Sequence, residues 1–238
     1  MTQTSTQRPD ARQTVRLRDV RSGYRILLAI VAPLPLIAKG IYYLLSPVSG
    51  NASFADTVAA YQAHREVLSV LHSLDIVFVC LLTPAVLGVI LVSRRGAPRL
   101  TFAGGIIALL GCFVGFGLLG GIETPEVMTV RYGLDLATMS KLRDAMEANP
   151  VMLVAGLLFI VGIVIGLGLL GAALWRSRAV PAWAGIALLL GGATHPFLPN
   201  QLVQGVGLLI GAIGFAAAAV ALLRQADDIF DLPPAVVG

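Results

Sequence analysis

The stretch EVLSVLHSLDIVFVCLLTPAV, residues 66–86, decides how the rest of the chain reads. It is apolar and long enough for a helix in lipid, which needs about 20 mostly apolar residues. Yet it carries His72 and Asp75 three residues apart, well inside the run. An ionisable group at membrane depth is costly, almost always faces the interior of a helix bundle, and usually has a partner. The fold follows from finding other runs of this kind, and the candidate chemistry from finding that partner.

Composition supports the membrane reading. Of 238 residues, 57% are hydrophobic and 13% charged, against about 25% charged in soluble domains. The two cysteines, Cys80 and Cys112, lie in apolar runs and exclude a disulfide framework or a cysteine-based zinc site. Arginine far outnumbers lysine, which occurs only at 39 and 141, and Ala, Gly and Val abound. That bias points to high-G+C bacterial coding and hence to a bacterial inner membrane. The net charge of +4 is explained by where the basic residues lie and does not indicate a nucleic-acid partner.

Six segments read as spans: about 24–46, 67–93, 99–121, 151–175, 180–194 and 201–223. The expected fold is an all-α, six-helix transmembrane domain over 24–224. A disordered basic tail, 1–23, precedes it, and an acidic, proline-containing tail, 225–238, follows. The first 23 residues are polar and dotted with arginine, unlike a cleavable signal. The fifth span, VPAWAGIALLLGGAT, is short: about 15 residues give about 23 Å of helix, less than the roughly 30 Å hydrocarbon core. Either the bilayer thins there, or the THPFLPN turn dips below the surface. In the second case His195, Asn200, Gln201 and Gln204 would line an outward pocket; an ordinary surface loop is the competing reading.

Sidedness follows from arginine and lysine. Arg8, Arg12, Arg16, Arg18, Arg21 and Arg25 precede or open the first span. Arg94, Arg95 and Arg99, then Arg176 and Arg178, and finally Arg224 fall at alternate span ends. The opposite face has only Arg65, Arg131, Lys141 and Arg143. Both termini are therefore expected in the cytoplasm, which requires an even number of spans. Gly111 and Gly115, Gly162 and Gly166, and Gly207 and Gly211 stand four apart, a spacing that lets helix backbones approach closely in lipid.

The polar chemistry gathers on the outward side: His64, His72, Asp75, Glu66, Glu123, Glu126 and His195. Asp75 lies eight residues into the second span, about 12 Å, and Lys39 seven residues from the outer end of the first, about 10 Å. The two spans are antiparallel neighbours, so the charges fall at similar depth and a Lys39–Asp75 pair is expected. His72 and Asp75 share a helix face. A purely structural ion pair pinning two helices competes with a functional role. Glu123 closes span three, where Pro125 is expected to stop the helix. LDLATMSKLRDAMEAN, in the 122–149 loop, reads as a short amphipathic surface helix, either a lid or a tie. FADTVAAYQAHREVL could start span two early, as a helix extended above the membrane.

Other chemistries find little. There is no HExxH or HxxxH, so a metal at His72, Asp75, Glu123 and His195 is weakly supported, and no cofactor motif is present. No serine stands in a G-x-S-x-G context. NAS at 51–53 fits a sequon by accident.

Residues 166–192, GLGLLGAALWRSRAVPAWAGIALLLGG, resemble a pattern in uncharacterised multi-span proteins of high-G+C bacteria. In it a basic cytoplasmic turn is followed by a Pro–Trp helix start, with interfacial Trp175 and Trp183. The resemblance supports the topology and implies no activity. Size, span number and intramembrane acids are also similar in architecture to small integral-membrane terpene cyclases, with no motif matched residue by residue.

Two functional readings result. In the first, the protein is an acid–base enzyme acting on a lipophilic substrate, an isoprenoid or lipid, as a cyclase or isomerase. Asp75, His72 and Glu123 would be its catalytic residues. Lys39, His195, Tyr42, Phe78, Phe116 and Gln204 would bind substrate, with Tyr43 and Phe113 as further aromatic lining. In the second it is a non-enzymatic carrier, sensor or accessory subunit built on the Lys39–Asp75 pair, with a membrane-protein partner or a homodimer as its context. A scaffold without any site is the third and blandest reading.

Overall fold

The computed structural model describes residues 15–16, 19–48, 50–118, 124–197, 200–231 and 236–237. It is a helical bundle. In chain order the helices are α1 (Arg21–Val31), α2 (Leu34–Leu45), α3 (Phe54–Ala63), α4 (Arg65–Ser93), α5 (Pro98–Leu118), α6 (Pro125–Tyr132), α7 (Leu136–Glu147) and α8 (Pro150–Val161). A π-helical turn, Gly162–Gly166, joins α8 to α9 (Leu167–Ser177), followed by α10 (Ala182–Phe197), α11 (Gln201–Arg224) and α12 (Asp227–Phe230). Outside the helices, β1 (Val15–Arg16) pairs antiparallel with β2 (Val236–Val237).

Among the described residues, four segments are long and apolar enough to cross a membrane: Arg21–Leu45, Arg65–Ser93, Pro150–Ser177 and Gln201–Arg224. Two shorter apolar helical stretches, Pro98–Val114 and Ala182–Thr194, complete the bundle. Each expected span has its helix, with ends displaced by a few residues where they are described; the expected end of the third, near 121, lies outside the described residues. The fifth runs on past His195 to Phe197.

Local chemistry explains the breaks. Pro33 and Pro35 lack the amide donors that an uninterrupted helix needs, so the first long segment is interrupted at Ala32 and Pro33, between α1 and α2. Helix α4 tolerates Pro84; its 29 residues give about 43 Å, more than the hydrocarbon core requires. The bundle is held close by glycine. A Cβ on Gly111 would lie 2.5 Å from the Gly162 Cα, and one on Gly171 2.4 Å from the Gly185 carbonyl oxygen. These contacts join α5 to the π turn and α9 to α10, so the small-residue spacing serves packing within the chain. The main core comes from Leu82, Val86 and Val89 of α4, Leu167, Leu170 and Leu174 of α9, and Leu188, Leu208 and Phe215 of α10 and α11.

Two expectations about the loops are corrected. Pro125 starts a helix: it occupies the first turn of α6, where its missing N–H costs nothing, and Thr124 caps that turn; the expected end of span three at Glu123 lies outside the described residues. The 122–149 connection therefore holds two helices, α6 and α7, separated by Gly133 in the left-handed conformation at φ 65°. Nor is span two simply extended upward. His64, at φ −128° and ψ 52°, breaks the chain between α3 and α4. Helices α3, α6 and α7 form a cap with its own small core of Phe54, Val58, Tyr61, Val127, Val130 and Met139, seated on Leu68 and Leu71 of α4.

At the opposite end, part of the 225–238 segment is anchored. Phe230 is buried in the main core. Arg25 pairs with Asp227 at 2.8 Å and donates to the Gln225 carbonyl, Arg94 donates to the Phe230 carbonyl, and Arg21 donates to the Asp231 carbonyl at 3.2 Å. Asp227 and Phe230 of α12, with Gln225 and Asp231 on its flanks, thus engage arginines that sequence counting reads only as sidedness signals.

Candidate functional site

Asp75 sits in the inward stripe of α4. Leu71, Phe78 and Leu82, at helical spacing around it, are 1%, 4% and 0% exposed, so the carboxylate faces protein. The helix packed there is α2, and it supplies the partner. Lys39 Nζ donates to Asp75 Oδ1 at 2.5 Å, with the two side chains 12% and 21% exposed.

The ammonium is also caged by aromatic rings. It lies 4.1 Å from the Tyr42 ring centroid, 5.5 Å from that of Tyr43 and 5.4 Å from that of Phe78. The spacing makes this possible: Tyr42 and Tyr43 stand three and four residues after Lys39, and Phe78 three after Asp75. Ring faces attract a cation by about 0.5–2 kcal/mol each, most where water is excluded. The carboxylate and the rings together stabilise a charge that lipid-facing helices would otherwise reject.

Beside the pair is a cavity of about 50 Å³. Its wall includes Tyr42, His72 and Asp75 from the bundle, and Tyr61, Thr124 and Val127 from the cap. Tyr42 packs against the cap core that contains Tyr61, and both side chains line this cavity. Burial pushes the Tyr61 phenol above its ordinary value, while Tyr42 pulls it the other way. The cap is braced from within. Glu126, only 9% exposed, pairs with Arg143 at 2.9 Å, and Arg143 also donates to Glu147 at 2.7 Å. The hydrogen bond to Glu147 first, and the Glu126 charge after it, raise the Arg143 pKa and hold the guanidinium charged.

Of the residues singled out from sequence, Lys39, Tyr42, His72, Asp75 and Phe78 converge. Phe116 does not reach the cavity wall; it meets Phe78 edge-on at 5.8 Å between centroids and Phe159 at 5.6 Å, deeper in the bundle. Gln204 is half-buried at the start of α11 and does not line the cavity. Phe113 is 64% exposed and does not line the cavity at Asp75. Glu123 and the His195 side chain lie outside the described residues. Among the described residues no three His, Cys, Asp or Glu side chains gather as a metal site would require. Sequence reasoning missed Tyr61. Its signal was the Phe54–Val58–Tyr61 spacing, which marks an inward face for a helix in the first loop.

No protein family, curated protein or solved structure matches this chain.

Proposed function

We propose that this protein is a multi-pass membrane sensor or accessory subunit, without catalysis of its own. In this reading the chain crosses a bacterial inner membrane six times, with both termini in the cytoplasm. The cap then lies outside the cell membrane and the Lys39–Asp75 pair below it, in the outer half of the bilayer. The pair is a latch between the first two spans, and the cap is the part that meets a partner. The observation that carries this is a continuous packed path: the cap core holding Tyr61 against Tyr42, the Tyr42 ring against Lys39, and Lys39 against Asp75 of α4. Packed paths of this kind can carry coupling between sites when the elements have two arrangements.

Size weighs against the acid–base enzyme. An isoprenoid or lipid needs a chamber beside Asp75, and small-molecule sites run about 300–1,000 Å³. The cavity at Asp75, about 50 Å³, is of water scale.

Hydrogen exchange on the cap, with native mass spectrometry on the same samples, separates the two readings. The latch predicts faster exchange in α3 and α6 for Asp75→Asn, and protection restored when Lys39→Met is combined with Asp75→Leu. A co-purifying isoprenoid or lipid that is lost in Asp75→Asn, with cap exchange unchanged, would favour the enzyme and sink the latch.

A further inference from the structure

We propose that the groove between α10 and α11 binds one anionic phospholipid, its phosphate at Arg224 and an acyl chain along α11. The groove has a volume of about 700 Å³, within the range of small-molecule sites. One wall is Val180 and Trp183, at the start of α10. The other is a stripe on α11, Ile213, Ala217 and Val220, which ends at Arg224. Alanines at 216, 217 and 221 make the α11 side shallow and give the groove its depth, while Ile229, on α12, borders it near the Arg224 end.

Three features select the occupant. The first is length: Ile213 to Arg224 is eleven residues, or about 16 Å, and one leaflet contributes about 15 Å of hydrocarbon, half the roughly 30 Å core. An acyl chain reaching Ile213 leaves its headgroup at Arg224.

Charge is the second. Arg21, Arg25 and Arg143 each have a carboxylate partner, whereas Arg224 is exposed and has none among the described residues. A phosphodiester supplies that partner. Third, Trp183 is 53% exposed beside the groove, and tryptophan favours the headgroup level. A second copy of the chain fits less well. A two-fold contact through this groove would place two Arg224 side chains together.

The test uses the full chain, delipidated in mild detergent. Phosphatidylglycerol and phosphatidylethanolamine with identical acyl chains are titrated in, and bound lipid is counted by native mass spectrometry. One phosphatidylglycerol per chain is expected, held about fivefold more tightly than phosphatidylethanolamine, as one basic residue near the headgroup gives. Arg224→Gln should abolish the preference and Arg224→Lys should keep it. Val220→Trp, at a position already 46% exposed, should fill the groove and weaken both lipids without disturbing the core. Soluble glycerol phosphate should displace neither lipid. Equal affinity for the two lipids, a preference that survives Arg224→Gln, or displacement by glycerol phosphate would each overturn the assignment.

Discussion

Replacing Asp75 by Asn keeps shape and volume but leaves the Lys39 ammonium without its counter-charge. At 2.5 Å, and with the effective dielectric of about 20 suited to protein sites, the gross attraction is about 7 kcal/mol. Desolvation of both ions offsets several kcal/mol of that. Breaking a buried pair from one side commonly costs about 3–5 kcal/mol, and the partial exposure of both groups places this pair near the lower figure, about 3 kcal/mol. The Tyr42, Tyr43 and Phe78 rings stay with Lys39 in the single variant and soften the loss. Lys39→Met strands the carboxylate instead; no ring compensates an anion, so the expected loss is at least as large. Replacing both, with Met and Leu, removes the two charges together and should return stability to within about 1 kcal/mol of wild type. The assay is reversible unfolding in mixed micelles as SDS is raised, run as a double-mutant cycle. Single losses below about 1 kcal/mol that simply add in the double variant would refute the argument, because the pair would then be screened rather than buried.

Gly111→Ala places a methyl against the Gly162 Cα and should cost about 1–3 kcal/mol in the same assay, whereas Gly156→Ala, with nothing within 4 Å, should be near neutral. Phe230→Ala should cost about 3 kcal/mol and release α12, seen as faster tryptic cleavage after Arg224. Asp135 caps α7 by accepting from Thr138, and that bond holds its carboxyl below the ordinary carboxylate range. A lowered folded-state pKa means the stabilisation is present above the ordinary value and lost as pH falls through the lowered one. Amides in the first turn of α7 should therefore lose protection in acid, corrected for intrinsic exchange, and Asp135→Ala should make them equally unprotected at neutral pH.

Much of this architecture is written in local pattern. A run of apolar residues as long as 66–86 must satisfy its backbone internally in lipid, so it is a helix whatever surrounds it. The same constraint made each expected helical segment legible to within a few residues. The Lys39–Asp75 pair was legible for a related reason: two opposite charges at equal depth on neighbouring antiparallel helices have few other ways to be tolerated.

Tertiary structure decided the rest, since short polar helices lie outside that constraint. Pro125 is equally at home ending one helix or starting the next, and only the packing of Val127 and Val130 against α3 fixes it as a start. Tyr61 is an ordinary aromatic until the cap folds onto α4 and brings it to the cavity that Tyr42 also lines. The acidic segment at 227–231 reads as a tail because its charges are local, while the arginines that hold it come from α1 and from the turn after α4, far along the chain. Sequence alone determined which long apolar segments are helical and that Lys39 and Asp75 must find partners; folding determined the short helices and the other pairings, because contacts between distant segments depend on geometry that no local pattern encodes.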